Sequence, residues 1–281
     1  MKVLVTGANG YIGKGVVKAL LEKNAQVIAV DQRFDDPDSR AENIVFDIFS
    51  EKEDMYSFLG KPDVCIHLAW RDGFVHNADT HMGCLSSHYN FLRTMLNGGL
   101  KHIAVMGSMH EVGYWEGAID ENTPCNPLSL YGIAKDALRR ALFQMTNPEE
   151  TVVQWLRGFY IYSNNEKSPS IFGKIIAADQ RGDEWFPLTS GKNKYDFLSL
   201  DELCDQVASC AMQTQVTGII NCCSGKPVPL AEEIEWFVKK NGLKIQLKLG
   251  AYPDRPYDSP AVWGDASKIQ EIMNNQKQRR M

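Results

Sequence analysis

Short apolar runs alternate with longer stretches of helical periodicity through the first half of the chain. Apolar residues at Ile12, Val16 and Leu20 recur at helical spacing, so this segment predicts a helix with one face on the core. Strands are predicted at Lys2–Val5, Gln26–Val30, Asn43–Phe46, Asp63–Leu68, His102–Met106, Thr151–Leu156, Tyr195–Leu198 and Ile219–Cys222. Strands that alternate with helices are typical of βαβ units, so the pattern predicts an α/β fold on a doubly wound parallel sheet.

The regular alternation ends near residue 158. A turn-rich stretch of Ser, Asn, Lys and Pro follows at 163–169. We therefore predict a sheet domain over 1–158 and, over 159–281, mainly a smaller C-terminal lobe that binds the substrate, with some segments returning to the sheet. The polar residues at 274–280 are predicted to fray as a tail.

Composition argues against several classes of protein. The net charge of −5 provides no basic face for nucleic acid. No apolar run is long enough to span a bilayer, and the chain begins on a strand and not on a signal peptide, so we expect no membrane partner and a cytoplasmic location. The seven cysteines are predicted to be reduced core thiols, and no His/Cys spacing suits a zinc site, so no metal is predicted.

A glycine-rich turn follows the first predicted strand. Gly7, Gly10 and Gly13 open the predicted helix. Glycines in this arrangement permit a tight turn, a close approach of backbone amides to a pyrophosphate, and close helix–strand packing. The helix N-terminus adds a favourable dipole and free N–H groups, so the turn predicts a dinucleotide site. The predicted cofactor contacts in this turn are Gly7, Asn9, Gly10, Tyr11 and Ile12.

The end of the second predicted strand bears on which dinucleotide is bound. Asp31 lies 18 residues after Gly13, where a carboxylate accepts hydrogen bonds from the adenosine ribose and repels a 2′-phosphate. This favours NAD. Arg33 follows two residues later and suits a 2′-phosphate in the alternative interpretation, so NADP stays open.

Tyr131 and Lys135 are one helical turn apart, which places both side chains on one face. Hydride reduction of a ketone produces an alkoxide that needs a proton, and an adjacent ammonium lowers the pKa of a tyrosine toward the neutral range. Ser108 ends the fifth predicted strand, where its hydroxyl is expected to donate to the substrate oxygen. The predicted catalytic residues are therefore Ser108, Tyr131 and Lys135.

The GxxGxxG turn, the YxxxK pair and the segment at 121–130 that precedes it resemble the extended short-chain dehydrogenase/reductase family. This is the family of NAD-dependent epimerases and dehydratases that modify nucleotide sugars, and the resemblance covers nearly the whole chain. It implies a Rossmann domain over 1–158, a nucleotide-sugar substrate, a homodimer that pairs through a four-helix interface, and a lysine that also holds the nicotinamide ribose.

Two further segments resemble cofactor contacts of the family. Asp47 and Ile48 match its adenine-contacting Asp and aliphatic residue. The run His67-Leu68-Ala69-Trp70 is similar to the family's HLAA segment, whose backbone lies along the cofactor, so Leu68, Ala69 and Trp70 are predicted contacts. Trp70 replaces the usual small residue and is expected to reshape the pocket mouth.

The residues after Ser108 bear on the type of reaction. Dehydratases of the family resemble one another in an Asp-Glu pair directly after the catalytic hydroxyl, whereas this chain has Met109 and His110 there, with Glu111 one residue late. Dehydration is therefore disfavoured. His110 is predicted as a substrate contact, with a hydrogen-bonded structural histidine as the alternative.

Two residues of the second half are predicted substrate contacts. Tyr160 takes the place of the Asn in a segment similar to the family's R-x-x-N-x-Y-G, in which Ser163 also replaces Gly. Arg255 opens a segment similar to R-P-G-D, whose arginine pairs with the sugar-nucleotide diphosphate. A plain salt bridge is the alternative interpretation of Arg255.

The resemblance and the residues together favour a ketoreductase. Hydride would pass from NAD(P)H to the keto carbon of a nucleotide-linked 4-keto-6-deoxy sugar, with Tyr131 as proton donor. A 4-epimerase with tightly held NAD uses the same three residues and is the alternative, and a 4,6-dehydratase is disfavoured. A hypothesis from another class of protein is a non-catalytic dinucleotide-binding regulator. Such a regulator is expected to lack the Tyr-Lys pair, which this chain keeps.

Overall fold

The computed structural model describes residues 1–50, 52–166, 168, 170–255 and 258–278. Its strands are β1 Lys2–Thr6, β2 Gln26–Asp31, β3 Glu42–Val45, β4 Val64–His67, β5 His102–Ser108, β6 Gly117–Ile119, β7 Val152–Gly158, β8 Tyr160–Tyr162, β9 Trp185–Pro187, β10 Lys194–Ser199, β11 Gly218–Cys222, β12 Pro227–Pro229, β13 Gln246–Lys248 and β14 Ala261–Gly264. Its helices are α1 Gly13–Glu22, α2 Met55–Phe58, α3 Thr80–Gly83, α4 Leu85–Asn97, α5 Leu130–Gln144, α6 Ile171–Arg181, α7 Leu200–Ala211, α8 Leu230–Lys240 and α9 Ser267–Gln278, with a 3-10 turn at Met109–Glu111.

The large sheet has seven strands in the order β11-β7-β5-β4-β1-β2-β3, and every neighbouring pair is parallel. The strand order changes direction beside β1, where Thr6 lies opposite both Val30 of β2 and His67 of β4. A doubly wound sheet binds its ligands outside the carboxyl ends of the strands at this switch point. The predicted Rossmann fold is confirmed.

Helices cover both faces of the large sheet. On one face α1 packs against α7, and the predicted apolar side chains Val16 and Leu20 are fully buried there. On the other face α4 and α5 contribute Leu92 and Leu138 to a second core cluster, which also contains Trp155 of β7. The sheet is therefore buried from both sides, which explains the nearly continuous apolar runs of its strands.

The smaller lobe has its own sheet and core. Its strands follow the order β12-β10-β14-β6, with β8 beside β10, and β13 pairs with β9 separately. A third core cluster under this sheet contains Phe172, Ile175 and Phe237. The segments that return to the large sheet are β11, α7 and α9. Strands β6, β8, β9 and β12–β14 have three or four residues each, too short to give a readable alternation in the sequence.

The prediction of a frayed tail is wrong for residues 274–278. Helix α9 continues to Gln278 because Ile269 and Ile272 are buried on its inner face, where the helix packs against α7. Arg279 and Arg280 lie outside the described residues. In the described part of the chain, no helix combines the length and apolarity needed to cross a membrane.

Asp196 of β10 connects the parts of the smaller lobe. Its fully buried carboxylate accepts hydrogen bonds from the backbone N–H groups of Ser224 (2.7 Å), Gly225 (2.9 Å) and Gly264 (3.1 Å), and from the Ser224 hydroxyl (2.6 Å). One side chain therefore joins β10 to β14 and to the turn after β11.

Replacing Asp196 by alanine is expected to lower the free energy of unfolding by about 3 kcal/mol, because three backbone N–H groups, of which that of Gly264 is buried, lose a charged acceptor. Urea-induced unfolding measures this loss. The control Asp36→Ala changes an exposed carboxylate and is expected to cost less than about 0.5 kcal/mol. Equal losses for the two variants would contradict the assigned role of Asp196.

Candidate active site

The glycine turn packs directly beneath the segment that follows β4. Gly7 has a φ of +69°, and a Cβ at this position would lie 2.7 Å from the backbone N and Cα of Ala69. A Cβ at Gly13 would lie 2.0 Å from the carbonyl oxygen of Gly7. Both positions therefore exclude any side chain. The turn and the segment Leu68-Ala69-Trp70 are brought together as the sequence predicts.

The N-terminus of α1 has features that fit an anionic ligand. No side chain caps the helix at Ile12, and its first turn has no acidic residue. Asp31 at the end of β2 accepts a hydrogen bond from the backbone N–H of Asn9 at 2.9 Å, which fixes the carboxylate beside the turn. An uncapped helix N-terminus together with a carboxylate at the second strand suits the pyrophosphate and the ribose of a dinucleotide.

Other predicted cofactor contacts border this turn. Arg33 is exposed in the loop after β2 and forms no ion pair within the described part of the chain. Asp47 is exposed and accepts a hydrogen bond from the backbone N–H of Phe49 at 3.0 Å, whereas Ile48 is buried in the second core cluster. Tyr11 donates its hydroxyl proton to Ser163 Oγ at 2.7 Å, which links the turn to the smaller lobe.

Ser108 ends β5 and is also the N-cap of the 3-10 turn that follows. Its Oγ accepts a hydrogen bond from the backbone N–H of His110 at 3.3 Å, and its own N–H donates to Glu111 Oε1 at 2.6 Å. This is a capping box, which satisfies N–H groups at both positions. The residue before Ser108 is a glycine, since a Cβ added at Gly107 would lie 2.1 Å from Trp155 Nε1.

Glu111 points into the core. Its carboxylate is fully buried and accepts a hydrogen bond from Trp155 Nε1 at 2.9 Å. The guanidinium groups of Arg157 and Arg139 lie 3.6 Å and 3.8 Å from it. Burial raises the pKa of Glu111, and the two guanidinium groups oppose that effect. The Glu111 carboxylate therefore binds groups of the protein core and does not face the site beside Ser108.

Tyr131 and Lys135 lie on the first turns of α5, which begins after the N-cap Ser129. Lys135 is buried, and its Nζ donates to the carbonyl oxygen of Met106 at 2.7 Å and lies 3.6 Å from the centre of the Trp70 ring. Its Nζ is 5.8 Å from the centre of the Tyr131 ring. The helical spacing thus brings the pair together beside Ser108, as the sequence predicts.

The pKa values of this pair are dominated by burial. Burial raises the pKa of Tyr131 to about 12, and a hydrogen bond with Ser108 opposes the rise. Burial lowers the pKa of Lys135 to about 7, and Glu111 opposes that fall. Tyr131 is consequently a neutral phenol near neutrality. The sequence predicts that a charged Lys135 lowers the pKa of Tyr131, but desolvation disfavours the charged form of this lysine.

Four rings surround Tyr131, and we call them the Tyr131 cage. His76 stacks on the tyrosine ring, with centroids 5.6 Å apart and planes 12° apart. The edge contacts come from Trp70 at 6.0 Å, His81 at 5.3 Å and His110 at 6.2 Å. The backbone N–H of Tyr131 donates to the carbonyl of His76 at 2.9 Å, which docks the loop after β4 on the start of α5.

Sequence reasoning missed His76 and His81, because both lie between β4 and α4, where neither periodicity nor a family motif applies. The signal available was compositional, since five of the six histidines are found at this site: His67, His76, His81, His88 and His110. Among the described residues, no group of three or more His, Cys, Asp or Glu side chains is arranged to hold a metal.

The predicted substrate contacts of the smaller lobe lie apart from this cage. Tyr160 packs on Tyr195, with ring centroids 4.5 Å apart, and on Phe197. Arg255 is exposed near Tyr195 and Asp258. Burial raises the pKa of both groups, and the Arg255 guanidinium opposes that rise. Pro256 and Tyr257 of the same predicted segment lie outside the described residues. Within the described ranges, no hydrogen bond, ion pair or ring contact joins Tyr160 or Arg255 to Tyr131.

Comparison with known proteins adds the family. The model of the NAD dependent epimerase/dehydratase family matches residues 3–223. The chain is 43% identical to the dTDP-6-deoxy-L-talose 4-dehydrogenase (NAD(+)) of Aggregatibacter actinomycetemcomitans over 269 residues, which are 94% of this chain and 99% of that one. It is 22% identical to the GDP-6-deoxy-D-talose 4-dehydrogenase of the same organism, over 98% of this chain and 92% of that one.

Among solved structures, the UDP-N-acetylglucosamine 4-epimerase of Methanobrevibacter ruminantium M1 in complex with UDP-N-acetylmuramic acid superposes with a TM-score of 0.82 at 21% identity. The match covers 96% of this chain and 91% of that one, and it shows a shared fold.

The fold and the family match together define the class, an NAD-dependent oxidoreductase or epimerase. The chain belongs to the NAD dependent epimerase/dehydratase family.

The buried amino group of Lys135 generates a prediction for stability. Its pKa falls from the ordinary 10.5 to about 7 in the folded protein, so between these values the unfolded chain binds a proton that the folded chain does not. Relative to Lys135→Met, the free energy of unfolding of the wild type should therefore rise with pH from 7 to 10, by at most about 1.4 kcal/mol per unit.

Urea unfolding of both proteins at a series of pH values measures this difference. Lys101→Met changes an exposed lysine and should give a difference that does not depend on pH. A flat difference for Lys135→Met as well would show that Lys135 keeps an ordinary pKa.

Proposed function

We propose that the chain is an NAD-dependent 4-dehydrogenase of a dTDP-linked 6-deoxyhexose, which in the reverse direction reduces the 4-keto sugar. The observation that carries the reaction type is the placement of Ser108 and Tyr131 beside buried Lys135 at the carboxyl edge of the sheet. The extended similarity to a dTDP-6-deoxy-L-talose 4-dehydrogenase supports the substrate class.

The protein side of the reaction follows from the contacts of these residues. NADH supplies the hydride when bound. Ser108 Oγ accepts a hydrogen bond from the His110 amide, and its own proton, which bonds with Tyr131 in the ligand-free site, would turn to the substrate carbonyl oxygen. Tyr131 is a neutral phenol near neutrality because burial raises its pKa to about 12, and a phenol can give the alkoxide its proton. This protonation state favours reduction.

The geometry of Glu111 supports this proposal against dehydration. Elimination of water needs an additional acid and base at the sugar. Glu111 can serve as neither the acid nor the base, because its carboxylate is enclosed by Trp155, Arg157 and Arg139 in the core. Met109 is buried, and His110 is held as a neutral imidazole because burial lowers its pKa to about 4.

For the cofactor we propose NAD, bound along the glycine turn and the segment after β4. Gly7 and Gly10 would admit the pyrophosphate to the start of α1, Asp31 would hold the adenosine ribose, and Lys135 the nicotinamide ribose. The orientation of Asp31 toward the turn, fixed by the Asn9 amide, supports this assignment.

We further propose a cytoplasmic homodimer that pairs through α4 and α5. Two exposed apolar side chains support this surface: Leu128, 66% exposed just before α5, and Ile133, 40% exposed in its first turn.

The reaction itself is tested with purified protein, dTDP-6-deoxy-L-talose and NAD⁺. NADH should accumulate in proportion to the loss of sugar nucleotide. Tyr131→Phe should lower kcat about 100-fold to 10,000-fold, because the proton-transfer group is lost, while NADH still binds by fluorescence titration. Tyr114→Phe, an exposed tyrosine at 46%, is the matched control and should keep full activity. Conversion of the sugar to its 4-epimer without net NADH would instead establish the epimerase.

The preference for NAD generates a separate prediction at Asp31. Asp31→Asn keeps an acceptor for the Asn9 amide but removes the charge that repels a 2′-phosphate. The ratio of kcat/KM with NADP⁺ to that with NAD⁺ should rise about tenfold. Asp36→Asn, which changes an exposed charge in the following loop, should leave the ratio unchanged. An unchanged ratio in Asp31→Asn would remove Asp31 from cofactor selection.

A further inference from the structure

The histidines around Tyr131 differ in how their ring nitrogens are used. His67 binds Thr6 Oγ1 through Nδ1 and His88 through Nε2, both at 2.9 Å. His81 accepts from Trp70 Nε1 at 3.1 Å and donates from Nε2 to the carbonyl of Val75 at 2.9 Å. These two imidazoles are fully engaged within the protein. His81 holds Trp70 and the loop in place, and His67 joins β1 to α4.

His76 and His110 are different. Across the described ranges of the chain, no hydrogen bond reaches a ring nitrogen of either residue, although both rings pack in the Tyr131 cage. Their ring centroids are 4.4 Å apart. Both residues are half-buried, and because no protein group uses their ring nitrogens, these nitrogens are available to a ligand.

The backbone fixes both rings beside the reacting groups. His110 follows Ser108 by two residues, and its amide donates to Ser108 Oγ at 3.3 Å. The carbonyl of His76 accepts from the Tyr131 amide at 2.9 Å. A carbonyl oxygen held between Ser108 and Tyr131 would therefore lie near the histidine pair, with a neighbouring carbon of the sugar facing the two rings.

The chemistry of the pair suits a hydroxyl and not a phosphate. Burial lowers the pKa of His110 to about 4, and burial together with nearby His81 lowers that of His76, so both are neutral near pH 7. A neutral imidazole offers one N–H donor and one acceptor, which matches the donor and acceptor of a hydroxyl. In a 4-keto-6-deoxyhexose, C3 is the neighbour of the carbonyl carbon that carries a hydroxyl, whereas C5 carries the methyl group and the ring oxygen.

We propose that His76 and His110 bind the 3-hydroxyl of the sugar and so select the hydroxylated sugar nucleotide over its 3-deoxy analogue. This inference rests on the proposed function for the position of the sugar. A site built to hydrogen-bond a substrate hydroxyl discriminates against an analogue without it, because its enclosed polar groups are then left unpaired.

The test compares dTDP-6-deoxy-L-talose with its 3-deoxy analogue in the wild type, His76→Phe and His110→Phe. Phenylalanine preserves the ring contacts of the cage and removes the nitrogens. Each variant should lose about tenfold in kcat/KM with the hydroxylated sugar and change little with the 3-deoxy sugar. His76→Asn should recover part of the loss. Val75→Ala, an exposed neighbour in the same loop at 60%, should behave as the wild type.

Equal losses on both sugars, or no loss on either, would overturn the assignment. Calorimetric binding of dTDP-6-deoxy-L-talose and of dTDP, without added cofactor, separates this inference from the proposed function. If the wild type forms no NADH, the dehydrogenase proposal fails. The histidine assignment then stands only if His76→Phe weakens binding of the sugar nucleotide about tenfold and leaves binding of dTDP unchanged.

Discussion

The buried carboxylate of Glu111 is the interaction on which the site depends. It accepts from the Ser108 amide and the Trp155 indole and faces the guanidinium groups of Arg157 and Arg139. These partners come from β5, β7 and α5, so one carboxylate fixes the strand that carries the hydroxyl relative to the helix that carries Tyr131. Removing one member of such a buried ionic group costs about 3–5 kcal/mol, because the other charges are left uncompensated.

The strands of the large sheet could be predicted from the sequence, because a sheet that is buried on both sides requires continuous apolar runs. The glycine turn could be predicted because the backbone around Gly7 and Gly13 leaves no room for a Cβ. The pairing of Tyr131 with Lys135 followed from helical spacing alone. The contacts of His76 and His81 could not be predicted, since they depend on how a loop docks on α5. The direction of the Glu111 side chain likewise depends on Trp155, which is distant in sequence.

Burial at the centre of the site has a chemical consequence for the proposed reaction. The protein surrounds Tyr131 with rings and encloses Lys135 beneath Trp70, and this desolvation works against the charged form of each group. A neutral phenol beside a serine hydroxyl is the protonation state that hydride reduction of a ketone requires. Oxidation of the alcohol needs the opposite state, so the protonation state of the ligand-free site supports the proposal that this site also reduces the 4-keto sugar.

Isotope transfer distinguishes a 4-dehydrogenase from a 4-epimerase. When dTDP-6-deoxy-L-talose labelled with deuterium at C4 is incubated with the protein and excess NAD⁺, a 4-dehydrogenase must move the label from the sugar to the cofactor. We expect deuterated NADH in the released cofactor, with the 4-keto sugar nucleotide as co-product. Label that stays on the sugar, with inversion at C4 and no deuterated cofactor in solution, would contradict it.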